Sequence, residues 1–304
     1  MTRVVVVGDA LIDELRDDNG VREFVGGAAL NVAVGLTRLG VPATLIAMVG
    51  DDEPGSRIRS YLGDYGVDLI ETPSPLGTAR AVSTRTGGGE PEYVFNEASQ
   101  RRRIRFGDRE REAMADAALV VVSCFAFDDA EQAAELAGTI SSAGVRVAVD
   151  PNPRSGMLRD SEEFVRGFER LAAGAALVKV GEDDASLLYG DSLDALRTRL
   201  VDLGADAVLA TQGASGATIE ADDVVVTHPI SSLPGRIVDT MGAGDAAFAA
   251  TIAALAEGDP ATEEEWAAVL ASAMDLAAAT CRFEGALLRT PAALESLDLD
   301  RLGT

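Results

Sequence analysis

The chain is poor in the side chains on which much enzyme chemistry rests. It has one lysine, Lys179, and every other basic side chain is an arginine. A GxxxxGK[ST] phosphate loop needs a lysine after its glycines, and Lys179 lies in LVKVGED, so that loop is absent. The single histidine, His228, precedes Pro229. A Ser-His-Asp or Cys-His relay would have to run through it, and a two-histidine metal site is excluded. Two cysteines, Cys124 and Cys281, give neither a disulfide framework nor a zinc cluster. Both lie in apolar surroundings, as buried thiols of a reducing compartment do. No apolar run reaches the roughly 18 residues of a membrane span. Acids follow the short apolar stretch of MTRVVVVGDALIDEL, so this start does not read as a signal peptide. The expectation is a cytoplasmic protein.

Positive charge is scarce as well. The formal net charge is −24 over 304 residues. Such a chain repels nucleic acid and anionic membranes, and neither is expected as a partner. Anionic small molecules stay open, because helix N-termini and a few arginines can build a local positive site.

What is present is a large apolar share, 47%, enough for a sizeable core. RVVVVG, ATLIAMVG, ALVVVS, RVAVD, ALVKV and AVLAT read as buried strands, each followed by a helix-like segment. This βαβα alternation predicts a parallel sheet covered on both faces. NGVREFVG and GTARAVSTRTGGGEPEYVFNEAS break the rhythm. They alternate apolar and polar residues between Gly-rich turns, which predicts antiparallel strands with one exposed face. From about Asp239 onward the chain reads as almost entirely helical. Polar residues fall at the predicted strand ends, where ligands of parallel sheets bind: Asp9 and Asp13, then Asp150, Asn152 and Arg154, then Glu182, Asp183 and Asp184, then Thr211 to Gly216.

One stretch, VDTMGAGDAAFAA from Val238 to Ala250, sets Gly242, Ala243 and Gly244 before a carboxylate, Asp245. Phe248, Ile252 and Leu255 then recur at helical spacing. The first N–H groups of a helix lack partners and carry about half a positive charge. Small residues leave them open to a phosphate. An ionised acid beside such a site serves as a general base; by itself, Asp245 reads equally well as a helix cap.

At these residues the chain resembles the ribokinase-like (PfkB) carbohydrate kinases along nearly its whole length. DTMGAGDAAF is similar to that family's C-terminal signature and GGAALNVAVGLTRLG to its N-terminal one, in the right order and separation. GDALID and DPNPRS resemble the fructokinase-like branch. The resemblance implies a ribokinase-like three-layer α/β fold over residues 1–304, with a mostly parallel sheet between helices. Insertions at about 14–25 and 76–98 would form a small antiparallel lid. It implies ATP-dependent phosphorylation of a sugar hydroxyl, with Mg²⁺ and the monovalent cation K⁺. Asp245 would take the hydroxyl proton, and the N–H groups of Gly242, Ala243 and Gly244 would hold the transferring phosphoryl group. Asp13, Gly27 and Asn31 would bind sugar hydroxyls, with Arg154 near the substrate. Thr211, Gly213 and Gly216 would line the nucleotide site, and Asp239 would lie near the monovalent cation.

Two departures mark this chain. The family's N-x-x-E motif is replaced by Gly181 and Asp184, so Asp184 is expected to order water around Mg²⁺, with Glu182 and Asp183 as alternatives. The arginine-proline pair of the family's tail is replaced by Phe283 and Glu284. Within the family, 2-keto-3-deoxygluconate competes with fructose as substrate, since Arg154 could meet its carboxylate. Ribose and nucleosides also stand. A different class, an NAD-binding oxidoreductase, is raised by Gly242-x-Gly244-x-x-Ala247 as a loose dinucleotide fingerprint. The lid residues Val82, Val94 and Phe95 leave two roles open, pairing in a homodimer or packing on the core.

Overall fold

The computed structural model describes residues 3–18, 20–84 and 92–295. Thirteen strands occur among them: β1 (Val4–Gly8), β2 (Leu11–Asp17), β3 (Gly20–Gly26), β4 (Ala43–Gly50), β5 (Asp68–Ser74), β6 (Ala79–Thr84), β7 (Glu92–Phe95), β8 (Leu119–Ser123), β9 (Val147–Asp150), β10 (Leu177–Gly181), β11 (Ala207–Thr211), β12 (Ala217–Ala221) and β13 (Val224–His228). Nine form one sheet in the order β13-β12-β11-β10-β9-β8-β1-β4-β5, parallel from β11 to β5 and antiparallel at β12 and β13.

Period-two alternation in the strands decides which helices cover which face. Val4, Val6, Leu119, Val121, Leu177 and Leu209 point to one side, against Leu30, Phe248, Ile252 and Leu270 of the Ala28–Arg38, Ala243–Glu257 and Glu263–Thr280 helices. Val5, Val7, Val120, Val122, Val178 and Val180 point to the other, against Leu136, Phe164, Phe168 and Leu196 of the Ala130–Ala143, Ser161–Ala172 and Leu193–Asp202 helices. Two apolar layers around one sheet explain why the strands read as unbroken apolar runs. The fold is the expected three-layer α/β arrangement. No helix among the described residues is long and apolar enough to cross a membrane.

β2, β3, β6 and β7 form a second sheet in the order β3-β2-β6-β7. The β2–β3 and β6–β7 pairs are antiparallel, and a parallel β2–β6 pair joins them. Residues 85–91 of the expected lid lie outside the described residues. Phe95 is buried on Leu11, Ala79 and Met157, whereas Val94 is 57% exposed.

Several details differ from the sequence expectations. AVLAT is followed by the β12–β13 hairpin rather than a helix. DLIETPS is the edge strand β5, a place that tolerates its proline. Asp13 lies within β2, not in a loop. Residues 229–242 are irregular, and the helical region begins at Ala243.

Candidate active site

Strand order reverses on either side of β1, the place where open α/β sheets bind ligands at the carboxyl ends of their strands. Three neighbouring strands end there in polar residues on one face. Ser123 closes β8, Asp150 closes β9, and Lys179 stands two residues before the end of β10. Ser123 Oγ donates to Asp150 Oδ2 at 3.2 Å, and Lys179 Nζ donates to Asp150 Oδ1 at 3.2 Å. Asp9 follows β1 and accepts from the Ala29 N–H at 3.1 Å. Burial pushes its carboxyl up, against Ala29 and the arginines Arg102 and Arg154.

Two helices meet above this edge. Gly35 lies against Ala249: a Cβ there would stand 3.0 Å from the Ala249 Cβ. That small-on-small contact brings the Ala28–Arg38 and Ala243–Glu257 helices close. One turn into the first and at the head of the second, Asn31 Nδ2 donates to Asp245 Oδ2 at 2.8 Å. The bond joins residues 214 positions apart. It leaves Asp245 Oδ1 and the Asn31 carbonyl oxygen without a partner among the described residues.

The head of the second helix has little choice of residue. Gly242 sits at φ 75°, and a Cβ on it would meet Ala286 Cα and O at 2.6 Å. Only glycine satisfies both constraints. The N–H groups of Gly242 and Gly244 find no acceptor among the described residues, while that of Ala243 donates to Thr240 O at 3.3 Å. These groups and Asp245 share the first turn. Gly27, at φ 108° with Asp9 O 2.8 Å from where its Cβ would stand, opens the other helix.

The small sheet closes the cleft from above through Asp13. Asp13 and Asp245 are half-buried by area, yet protein surrounds both carboxyls. Burial chiefly pushes Asp245 up to about 6; Asp150 adds to this, and Asn31, Lys179 and Arg154 oppose it. Burial, with Asp9 next, pushes Asp13 up to about 7, Arg154 opposing. The cleft measures about 1270 Å³. That exceeds the ≈ 300–1,000 Å³ of a single small-molecule pocket and leaves room for two substrates.

Of the residues singled out from sequence, Asp13, Gly27, Asn31, Arg154, Asp239, Gly242, Gly244 and Asp245 line this one cleft. The Arg154 side chain, exposed by area, has no hydrogen bond or ion pair among the described residues; Cys124, Asp245, Asp184 and Asp150 hold its pKa up against the protein packed around it. Thr211, Gly213 and Gly216 are not in the cleft wall. They form a turn beside it, where Thr211 Oγ1 donates to Val180 O at 3.3 Å. Asp184 is buried behind the wall, its Oδ2 accepting from the Gly181 N–H at 2.6 Å. Asp239 accepts from the N–H groups of Met241 and Gly285 at 3.0 and 3.1 Å. The sequence reading missed the Lys179–Asp150 pair. The lone lysine was its one signal, since a buried ammonium is rare without a partner.

The family model described as pfkB family carbohydrate kinase matches residues 1–293. A fructokinase of Rhizobium leguminosarum bv. trifolii is 30% identical over 272 residues, 83% of this chain and 79% of its own length. A fructokinase of Klebsiella pneumoniae is 29% identical over 302 residues, 95% of this chain and 96% of its own. Among solved structures, aminoimidazole riboside kinase from Salmonella enterica, complexed with aminoimidazole riboside and an ATP analog, superposes with a TM-score of 0.79 at 26% identity, covering 97% of this chain and 99% of the other.

Proposed function

The chain belongs to the pfkB family of carbohydrate kinases, and on that premise we propose that it moves the γ-phosphoryl group of ATP to a hydroxyl of a fructose-like sugar. The observation that carries this reading is the 2.8 Å bond from Asn31 to Asp245. It fixes one carboxylate oxygen and leaves Oδ1 without a partner among the described residues, at the same helix head as the open N–H groups of Gly242 and Gly244. Asp13 in the lid and the Asn31 carbonyl hold sugar hydroxyls, with Gly27 leaving them room. As a sugar oxygen bonds to the γ-phosphorus, its proton passes to Asp245 Oδ1, and the bond to the β–γ bridging oxygen breaks to release ADP. A base at about 6 is ionised at neutral pH and still basic enough to take that proton. The N–H groups of Gly242 and Gly244 face the growing charge; Ala243 serves mainly to tie the turn to Thr240.

ATP lies along the cleft toward the Thr211–Gly216 turn. Mg²⁺ binds mostly to phosphate and water oxygens with one or two carboxylates. No cluster of three metal-binding side chains occurs among the described residues; Asp184 is shut behind the wall, and the alternative Asp183, which lines the cleft, suits one water-mediated contact. Bound to ATP, Mg²⁺ neutralises charge on the phosphates. K⁺ would lie against Asp239, whose two oxygens keep lone pairs beyond the two N–H groups they accept. A homodimer through the lid would cover Val21 and Val94, which are 63% and 57% exposed on the face away from the cleft.

A sugar acid such as 2-keto-3-deoxygluconate is the second substrate reading, favoured by the unpartnered Arg154 guanidinium. Ribose and nucleosides complete the set. The oxidoreductase reading falls on context: a dinucleotide fingerprint follows a strand directly, and here irregular residues 229–242 precede the helix. An ATP-coupled assay over ketoses, aldoses, sugar acids and nucleosides tests the proposal. A fructose-like ketose is expected to give the highest kcat/KM, and a preference for an acid would move the assignment to the second reading.

A further inference from the structure

The chemistry above leaves one buried charge without a part. Lys179, the only lysine of the chain, is 7% exposed. Burial favours its neutral form, but Asp150, Asp184 and Asp245 outweigh burial and hold its pKa up at about 12. It shares a face of β10 with Leu177, the face that meets the Ala243–Glu257 helix. A Cβ built on Gly244 would stand 3.4 Å from Lys179 Nζ and 3.6 Å from Cε, with no other atom outside its own turn as near. The ammonium therefore lies directly under the helix head.

A cation at a helix N-terminus is ordinarily unfavourable, because the dipole already places about half a positive charge there. Two positive sources stacked in a buried place cost the ligand-free protein and favour a bound anion. Without Lys179 the same place would be negative: Asp150, Asp184 and Asp245 surround it, opposed by Arg154 alone. In a chain whose other basic side chains are arginines, the one compact ammonium stands beside Gly244 and at the wall of the cleft.

We propose that Lys179 is a positioning residue for phosphoryl transfer, its ammonium fixed beneath the Gly242–Gly244 turn to offset the surrounding carboxylates and turn that site toward the transferring phosphoryl group. The inference rests on the kinase reading above. Wild-type turnover on the substrate panel is measured first, so that its absence strikes that reading, whereas the ratio of variant to wild type strikes Lys179 alone. Lys179→Met, of similar length and uncharged, is expected to lower kcat by about 10²-fold, as loss of a preorganised charge-stabilising group does. Sugar KM should stay within about threefold, since sugar recognition lies elsewhere in the cleft. The acid limb of the pH profile should move to higher pH, because Asp245 loses its nearby cation while Asp150, Asp184 and Arg154 remain.

The single variant leaves Asp150 buried without its counter-charge, held by Ser123 Oγ, which can prevent folding. The double variant Asp150→Asn/Lys179→Met removes both charges and keeps the test open. It is expected to unfold at a temperature close to wild type while kcat stays at least about tenfold low. A purely structural Lys179 gives the opposite: full kcat in the double variant, or an unchanged kcat and acid limb in folded Lys179→Met. Either result overturns the proposal.

Discussion

The nine-stranded and four-stranded sheets are built on different physical terms. In β1, β4 and β8 every residue is buried, with side chains on both faces set into apolar layers. β6 alternates buried and half-buried residues, β3 is mostly exposed or half-buried, and across this sheet runs an ion-pair net in which Arg80 reaches Glu14 and Glu23 while Arg57 reaches Glu23. The first construction cannot shift without opening the core. The second has one buried apolar face, through Leu11, Ala79, Ala81 and Phe95, and one face of ion pairs, of which the exposed ones are worth about 0–1 kcal/mol each. The groups assigned to phosphoryl transfer stand on the rigid part, and Asp13 stands on the looser one. With the proposed sites divided this way between two sheets, substitutions should separate accordingly.

The largest effect is expected at the rigid end. Asp245→Asn should fold as wild type, bind ATP and lose about 10²–10⁴ in kcat. Steady-state kinetics with calorimetric ATP titration checks this, and near-normal kcat would remove the base. Next is the core behind the sheet. Phe127 is 1% exposed, with ring centroids 5.4 Å from Phe125 and Phe164 and 6.0 Å from Phe168. Phe127→Ala should cost about 3–5 kcal/mol in denaturant unfolding and leave the sugar KM of the folded enzyme unchanged. A changed KM would show that the two parts are coupled.

At the lid, Asp13→Asn should raise sugar KM about tenfold or more, since a bond to a charged group is worth about 1.5–3 kcal/mol. The KM for ATP should barely move, and equal losses would make Asp13 structural. Acid gives a smaller, graded effect. Asp13 and Asp245 titrate at about 7 and about 6 in the fold, against 3.8 ordinarily. Between those values the native protein holds protons that the unfolded chain has lost. Their contribution to stability therefore falls as pH rises from about 4 to about 7. Activity should rise over the upper part of that window, by about fivefold between pH 5 and 6 for a base titrating at about 6. Melting and rate profiles running in the same direction would contradict this. The smallest effect is expected from Arg57→Met, which removes the exposed pair to Glu23, a loss of about 1 kcal/mol or less with sugar KM within about threefold. A large KM change would mean that the ion-pair net sets the lid position.

Much of this fold was legible because its pattern is local. Apolar runs in VVVVG, LVVVS and LVKVG marked strands sealed on both faces, and GAGD before Phe248, Ile252 and Leu255 marked a helix with an open head. Legibility failed where the partner was distant. β2 reads as an acidic loop, LIDELRD, because the mates that make it a strand, β3 and β6, supply its pattern only once paired. The hairpin β12–β13 was hidden by the expectation that every strand is followed by a helix.

The sequence by itself determined the layered α/β class, the helix head stripped of side chains, and the carboxylate placed one step beyond it. These follow from residue volume and spacing along the chain. Only the tertiary structure decided that Asn31 grips Asp245 across 214 positions, that Arg154 is left without a partner among the described residues, and that the one lysine lies under Gly244. Those relations depend on how closely two helices and one sheet edge approach, and distances between remote segments are not written in any local stretch of residues.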